Sequence, residues 1–220
     1  MKKSVYSLVL SDEVVAQIDR LAYEKGTNRS NAVNQILAEY VSYVTPEKRI
    51  GEVFDRIGDF LSRSDTFRLA AQPSDRVMTL RSALAYKYNP TVRYSVELYR
   101  NGQGAIGVLR VSMRTQSEAL LQALDVFFRV FMQTEQRLIG ECRYQVEPGR
   151  FCRELSPRYN RGGLSGMVSS NDLGDLITQY IRTFDGALKA FFAISDQPAE
   201  AEKAVQECYM QYLHRCGEIL

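Results

Sequence analysis

Apolar and polar positions in the first 44 residues follow a strand-like period and then a helical one. Residues 4–10 alternate around β-branched and apolar side chains, which predicts a short strand. A serine and two acidic residues at 11–13 favour the start of a helix. Gly26 favours the end of that helix, and Asn28 favours the start of a second one. Between these signals apolar residues recur at helical spacing: Val14, Val15, Ile18, Leu21 and Ala22, then Ala32, Val33, Ile36, Leu37, Tyr40 and Val44. The pattern predicts strand, helix, tight turn and helix.

The rest of the chain mixes both periods. Pro46 suits the first turn of a third helix, so we place the domain boundary near residues 44–47, between domains 1–45 and 46–220. Turn residues at Asn89 and at 101–104 separate three alternating stretches. The predicted elements are helix 46–61, strands 76–88, 91–100 and 105–114, helix 117–139, one or two strands within 143–155, a loop at 156–170, and helices 171–193 and 198–216. They predict an α+β protein whose larger domain packs an antiparallel sheet on helices.

The composition of the chain excludes fewer functional classes than its hydrophobic pattern does. With 220 residues, 25% charged side chains and a formal net charge of +2, the chain is neither disordered nor strongly basic. DNA binding would therefore have to come from local geometry. No signal peptide and no apolar run of about 20 residues is apparent, and the cysteines have no metal-type spacing: Cys142, Cys152, Cys208 and Cys216. These features predict a cytoplasmic protein with free thiols and no membrane partner.

Residues 1–44 are too few to bury a core of their own. A lone strand and two short helices with broad apolar faces would be completed by a second copy of the chain. The two strands would then pair into an antiparallel ribbon above four shared helices, and such a ribbon fits the major groove of DNA. We therefore expect an intertwined homodimer, or a higher homo-oligomer built from it.

The order and spacing of residues 10–15, Ile18, Leu21, Ala22 and residues 26–30 resemble the CopG/Arc/MetJ ribbon-helix-helix family, over the first fifth of the chain. The resemblance implies double-stranded DNA as the partner, with the ribbon in the major groove and the start of the second helix at a phosphate. Carried over to this sequence, it implies a shared core from Tyr6, Leu8 and Leu10, base contacts from Val5, Ser7 and Val9 with Lys3 beside them, and a phosphate site at Asn28, Arg29 and Ser30.

The groove face of this ribbon departs from the family pattern. Relatives usually place Arg, Lys, Thr, Asn or Gln there, whereas this chain offers Ser7 between Val5 and Val9. Basic and acidic side chains balance at five each within residues 1–44, so the electrostatic attraction to DNA is weak. The alternative is a protein-binding assembly factor, or an antitoxin-like protein, that uses the ribbon-helix-helix only to dimerise.

The strand faces opposite the apolar ones carry Arg81, Arg93, Arg110 and Arg114. Such a surface could hold a DNA backbone, RNA or an anionic ligand. It could also be an ordinary solvated sheet face, or one paired with acidic residues from a helix. We expect the larger domain to extend the oligomer, or to bind a small-molecule or protein effector.

Other residues that could bind a ligand or catalyse a reaction occur in weak sequence patterns. Residues 161–166 could form a phosphate cradle, but they lack the Gly-Lys-Ser/Thr of a P-loop and fit a surface loop better. His214 is the single histidine, and its neighbours Cys208 and Cys216 are spaced wrongly for one metal site. We expect no metal, no cofactor and no catalytic residue, and hence a DNA-binding transcriptional regulator rather than an enzyme.

Overall fold

The computed structural model describes residues 5–41, 45–100, 104–159 and 169–220. The chain divides into two compact units, Met1–Arg49 (unit 1) and Ile50–Leu220 (unit 2), close to the boundary expected at residues 44–47. The described helices are α1 (Asp12–Glu24), α2 (Arg29–Tyr40), α3 (Pro46–Ser62), α4 (Glu118–Ile139), α5 (Ser170–Ala193) and α6 (Pro198–Arg215). The described strands are β1 (Phe67–Leu69), β2 (Val77–Ala83), β3 (Thr91–Leu98), β4 (Gly107–Met113), β5 (Tyr144–Glu147), β6 (Arg150–Leu155), β7 (Arg158–Tyr159) and β8 (Glu218–Ile219). The predicted α+β class is confirmed.

Six strands build one antiparallel sheet in unit 2, in the order β1–β2–β3–β4–β6–β5, while β7 pairs with β8. The hydrophobic pattern predicts β2, β3 and β4, but each is shorter than its apolar stretch. β2 ends at Ala83, since the chain then turns through Tyr88 and Asn89, which both have positive φ. The pattern misses β1 and β8, and it assigns β7 to the predicted loop at 156–170, because strands of two or three residues are too short to show a period. Of the second predicted turn, residues 101–103 lie outside the described residues.

The apolar face of the large sheet shares one core with helices α3 to α6. Phe184 of α5 lies in this core, in ring contact with Phe127 and Phe131 of α4 and with Phe151 of β6. Four side chains predicted to share one face of β3 are all buried: Val92, Tyr94, Val96 and Leu98. Because side chains alternate along a strand, the opposite face of the same sheet is left with the polar residues.

Two side chains bind the free main-chain groups at the ends of α4. Ser117 Oγ accepts a hydrogen bond from the Leu120 N–H at 3.3 Å, at the start of α4. At the other end of α4, Arg158 Nη1 donates to the Ile139 carbonyl oxygen at 3.1 Å. Arg158 precedes the loop considered as a phosphate cradle, but here it serves a helix end. Residues 161–166 themselves lie outside the described residues.

Candidate functional site

Main-chain and side-chain hydrogen bonds close the turn between the two helices of unit 1. Gly26 adopts a φ of +58°, and the N–H of Thr27 donates to the Ala22 carbonyl oxygen at 2.8 Å, which ends α1. Asn28 Oδ1 accepts from the Asn31 N–H at 2.9 Å, which starts α2 as predicted. The other N–H groups in the first turn of α2 have no intrahelical acceptor, so they remain available to an anion.

Arg29, the predicted phosphate contact, is engaged within unit 1. Its Nε and Nη2 atoms donate to both carboxylate oxygens of Asp19, at 2.6 and 2.5 Å. The hydrogen bond from Arg29 lowers the pKa of Asp19. The two side chains are 58% and 46% exposed, and exposed pairs of this kind are weak. A phosphate can therefore compete with Asp19 for Arg29, while the neighbouring Ser30 is exposed.

Within the single chain, residues 5–10 form neither a strand nor a helix, so the strand predicted at residues 4–10 stays a prediction about the dimer. A strand requires a hydrogen-bonded partner, and no described segment of the chain pairs with this one. Side chains of both predicted faces are exposed: Val5, Ser7 and Val9 on one, and Tyr6, Leu8 and Leu10 on the other. Burial of the second set in a shared core stays a prediction about the dimer, and Lys3 lies outside the described residues.

Most of the large hydrophobic side chains in the described part of unit 1 are exposed. Its core cluster consists of Ile18, Ala22 and Ala32, with Val33 packed against it. Eleven of the seventeen large hydrophobic side chains exposed in the described part of the chain belong to unit 1: Val5, Tyr6, Leu8, Val9, Leu10, Val14, Tyr23, Ile36, Leu37, Tyr40 and Val41. Concentrated apolar exposure of this kind marks an interaction surface.

On the exposed face of the large sheet, four arginines surround one serine. The strand register places Ser112 of β4 directly between Arg93 of β3 and Arg150 of β6. Arg110 precedes Ser112 by two residues and shares its face of β4, while Arg114 follows Ser112 by two residues, just past the end of the strand, and lines the same groove. We call Arg93, Arg110, Arg114 and Arg150 the arginine ring. Beyond Arg93, the row of arginines across the sheet continues with two further arginines in register: Arg81 on β2 and Arg68 on β1.

A groove of about 910 Å³ lies over the arginine ring. Its lining includes all four arginines of the ring, the hydroxyl-bearing residues Ser95, Ser112 and Thr115, and a single carboxylate residue, Glu147. Leu121 and Pro148 add apolar surface to the wall. The groove thus combines an excess of positive charge with neutral hydrogen-bonding groups, which is the chemistry that anions require.

Few carboxylates neutralise this face. Arg110 Nη1 donates to Glu97 Oε2 at 2.7 Å, and Arg150 Nη1 lies 3.5 Å from Glu147 Oε2. Both acids belong to strands of the sheet and not to a helix, so of the alternatives for this face the pairing with acidic residues of a helix is not what the described residues show. Among the described residues, four of the arginines on this face form no ion pair: Arg68, Arg81, Arg93 and Arg114.

A second polar cluster, which sequence reasoning missed, is buried on the helix side of the sheet. Glu135 of α4 and Arg153 of β6 are 0% and 1% exposed, and Arg153 Nη2 lies 3.1 Å from Glu135 Oε1. The same carboxylate accepts hydrogen bonds from three hydroxyl groups, those of Tyr144, Tyr180 and Tyr209, at 2.5, 3.1 and 2.8 Å. Every buried polar side-chain atom of the described residues has a partner, so we assign this cluster a structural role.

The remaining candidate groups are dispersed. Within the described ranges, no three His, Cys, Asp or Glu side chains come together as metal ligands would. His214 Nδ1 lies 2.7 Å from the Met210 carbonyl oxygen, and burial raises the pKa of the Cys208 and Cys216 thiols, which disfavours reactive thiolates. No helix in the described part of the chain has the length and apolar character to cross a membrane.

Comparison with known proteins adds no assignment. The chain matches no protein-family model, and it has no significant match among curated proteins or among solved structures. Two features of the molecule therefore bear on its function: the exposed apolar surface of unit 1 and the arginine ring of unit 2.

Proposed function

We propose that the chain is a DNA-binding transcriptional regulator that acts as a homodimer, in which two copies of unit 1 form a ribbon-helix-helix. The observation that carries the proposal is the exposed apolar surface of residues 5–41 beside a core cluster of three residues. A second copy would bury this surface, since Tyr6, Leu8 and Leu10 alternate along one face of the N-terminal segment. A regulator of this type acts on DNA in the cytoplasm, where we place it.

In such a dimer the two N-terminal segments pair and turn Val5, Ser7 and Val9 toward the base edges. The Ser7 hydroxyl can donate or accept a hydrogen bond, and the valines can contact thymine methyl groups. The N–H groups at the start of α2 bind a phosphate with the help of the helix dipole. Arg29 then exchanges its exposed ion pair with Asp19 for a phosphate oxygen.

One observation favours the alternative of an assembly factor that dimerises through unit 1 without binding DNA. In the single chain, Asp19 already pairs with Arg29, the cation beside the proposed phosphate site. Both functions require the dimer, and only the first requires the pair to open. They differ in a measurable way, because DNA binding depends steeply on salt concentration.

The test is fluorescence polarisation of the full chain with labelled duplexes from the region upstream of its own gene, at low and moderate salt. We expect Arg29→Ala and Ser30→Ala to weaken binding to every duplex, and Ser7→Ala to change the ranking of duplexes. Arg20→Ala is the matched control, because it removes an exposed arginine of α1 that lies outside the proposed phosphate site, and it should have a smaller effect. A dimer without salt-dependent binding would favour the assembly factor, and a monomer at micromolar concentration would exclude both functions.

A further inference from the structure

We infer that the groove over the arginine ring binds a small molecule of nucleotide size that carries linked phosphate groups. This inference concerns unit 2 alone and does not depend on DNA binding by unit 1. It starts from the position of Ser112, which has an arginine on each side across the sheet and one in each direction along the strand. Guanidinium groups in those four positions can converge above one hydroxyl group.

The charge of the ring identifies the ligand as a multiply charged anion. Like charges side by side on a sheet destabilise it, and the described carboxylates neutralise only part of this face. Arg93 and Arg114 have no ion pair among the described residues, so their donors are available. A phosphate group accepts several charge-assisted hydrogen bonds and pairs bidentately with arginine, and linked phosphates supply enough charge for four guanidinium groups.

The shape of the groove favours a small ligand over a nucleic acid backbone. Its volume of about 910 Å³ falls in the range of small-molecule sites, which extends to about 1,000 Å³. Leu121 and Pro148 line its wall, so part of the ligand would meet apolar surface. Arg81, the next arginine in the row, does not line the groove, as it would if the site followed an extended polyanion across the sheet.

The test is calorimetric titration of the full chain with inorganic tripolyphosphate. The wild-type chain should bind one tripolyphosphate, and the dissociation constant should rise with salt because the contacts are ionic. Replacing Arg93 and Arg150 together by glutamine should weaken binding by roughly tenfold for each arginine. Ser112→Asp should abolish binding, since it places a carboxylate at the centre of the ring.

Arg137→Gln is the matched control, because Arg137 is an exposed arginine on α4 that does not line the groove. Its affinity for tripolyphosphate should equal that of the wild-type chain, and thermal melts should show that all variants are folded. If the double variant does not fold, Ser112→Asp alone decides the result. Equal binding by all variants, or no binding by the wild-type chain, would overturn the proposal.

A second arm separates a small ligand from nucleic acid. It uses the full chain carrying Arg29→Ala and Ser30→Ala, so that the proposed DNA site of unit 1 is weakened and the groove is intact. Under the proposal, an excess of duplex DNA leaves the tripolyphosphate affinity of this variant unchanged. If the duplex displaces tripolyphosphate competitively, and the duplex no longer binds when Arg93 and Arg150 are also replaced, the groove would be reassigned to a nucleic acid backbone.

Discussion

Unit 1 and unit 2 differ most in how much apolar surface each one buries by itself. In the described parts of the chain, the core cluster of unit 1 has three buried residues and that of unit 2 has thirty-nine. One ion pair from each unit shows the same contrast: Arg29–Asp19 in unit 1 is about half exposed, whereas Arg153–Glu135 in unit 2 is almost fully buried. The buried pair is therefore a fixed part of the fold of unit 2, while the exposed pair of unit 1 can be exchanged for contacts with a partner.

Removal of the Glu135 carboxylate is the most severe test of the difference between the two units. Glu135→Ala leaves the Arg153 guanidinium buried without its counter-ion, and we expect a loss of about 3–5 kcal/mol in the free energy of unfolding. Glu135→Gln should lose less, because its amide oxygen can still accept hydrogen bonds from the tyrosines. Urea titration followed by circular dichroism measures both changes.

The control for this measurement is Asp125→Ala on the same helix. Asp125 pairs with Arg129 at the surface, where both side chains are more than half exposed. Surface pairs contribute about 0–1 kcal/mol, so this variant should unfold close to the wild-type urea concentration. If Glu135→Ala behaved like Asp125→Ala, the buried cluster would not be a determinant of stability. The Glu135→Gln variant keeps the test informative if the alanine variant does not fold.

Alkaline pH provides a second, smaller test of unit 2. Burial raises the pKa of Tyr94, Tyr180 and Tyr209 in the folded chain, whereas tyrosine in the unfolded chain titrates near 10. Their contribution to stability is therefore fully present below about pH 10 and is lost as the pH rises toward the folded values. Tyrosinate absorbance from these side chains should appear cooperatively, together with loss of the helical circular dichroism signal.

Tyr180→Phe refines the alkaline test, since phenylalanine retains the ring and removes one titrating hydroxyl group. Each tyrosine that ionises only on unfolding contributes about 1.4 kcal/mol per pH unit to the decline in stability. The slope of stability against pH above 10 should therefore become shallower by about that amount. An unchanged slope would mean that Tyr180 ionises in the folded chain, contrary to its complete burial.

The sequence predicts the helices and strands of unit 2 better than it predicts which of them pair or pack together. Alternation correctly places Arg93 and Arg110 opposite the buried residues of β3 and β4, because that inference needs only local periodicity. Three members of the arginine ring are predicted to share a face, but Arg150 could not be predicted, since it joins them only through the pairing of β6 with β4. That pairing brings together residues 38 positions apart, counted from Ser112 to Arg150.

The buried cluster left a signal that could have been found. Glu135 follows Phe131 by four residues and Phe128 by seven, so it lies on the apolar face of α4. Arg153 alternates with Phe151 and Leu155, so it occupies a core position of β6. Two charged residues of opposite sign at core positions predict a buried ion pair, because neither could be buried alone. The three tyrosines could not have been assigned to it without the tertiary structure.

The smallest expected effect concerns unit 1 and the exposed pair of Arg29 with Asp19. Asp19→Asn removes the charge that holds Arg29, so under the proposed function Arg29 becomes free to bind a phosphate. We expect DNA affinity to increase by up to about fivefold, because the exposed ion pair that is removed is weak. The dependence of the affinity on salt should become steeper, because one more cation replaces a counter-ion of the DNA. Fluorescence polarisation at several salt concentrations measures both.

Glu39→Gln separates this effect from the general loss of a negative charge. Glu39 is an exposed carboxylate at the far end of α2, so its removal changes the net charge equally but does not release Arg29. A larger gain for Asp19→Asn than for Glu39→Gln, which disappears when Arg29→Ala is added, would show that Arg29 acts on DNA. Equal gains would mean that unit 1 attracts DNA only through its net charge. No gain in either variant, from a chain that still dimerises, would leave unit 1 as a pairing module and make unit 2 the functional part of the molecule.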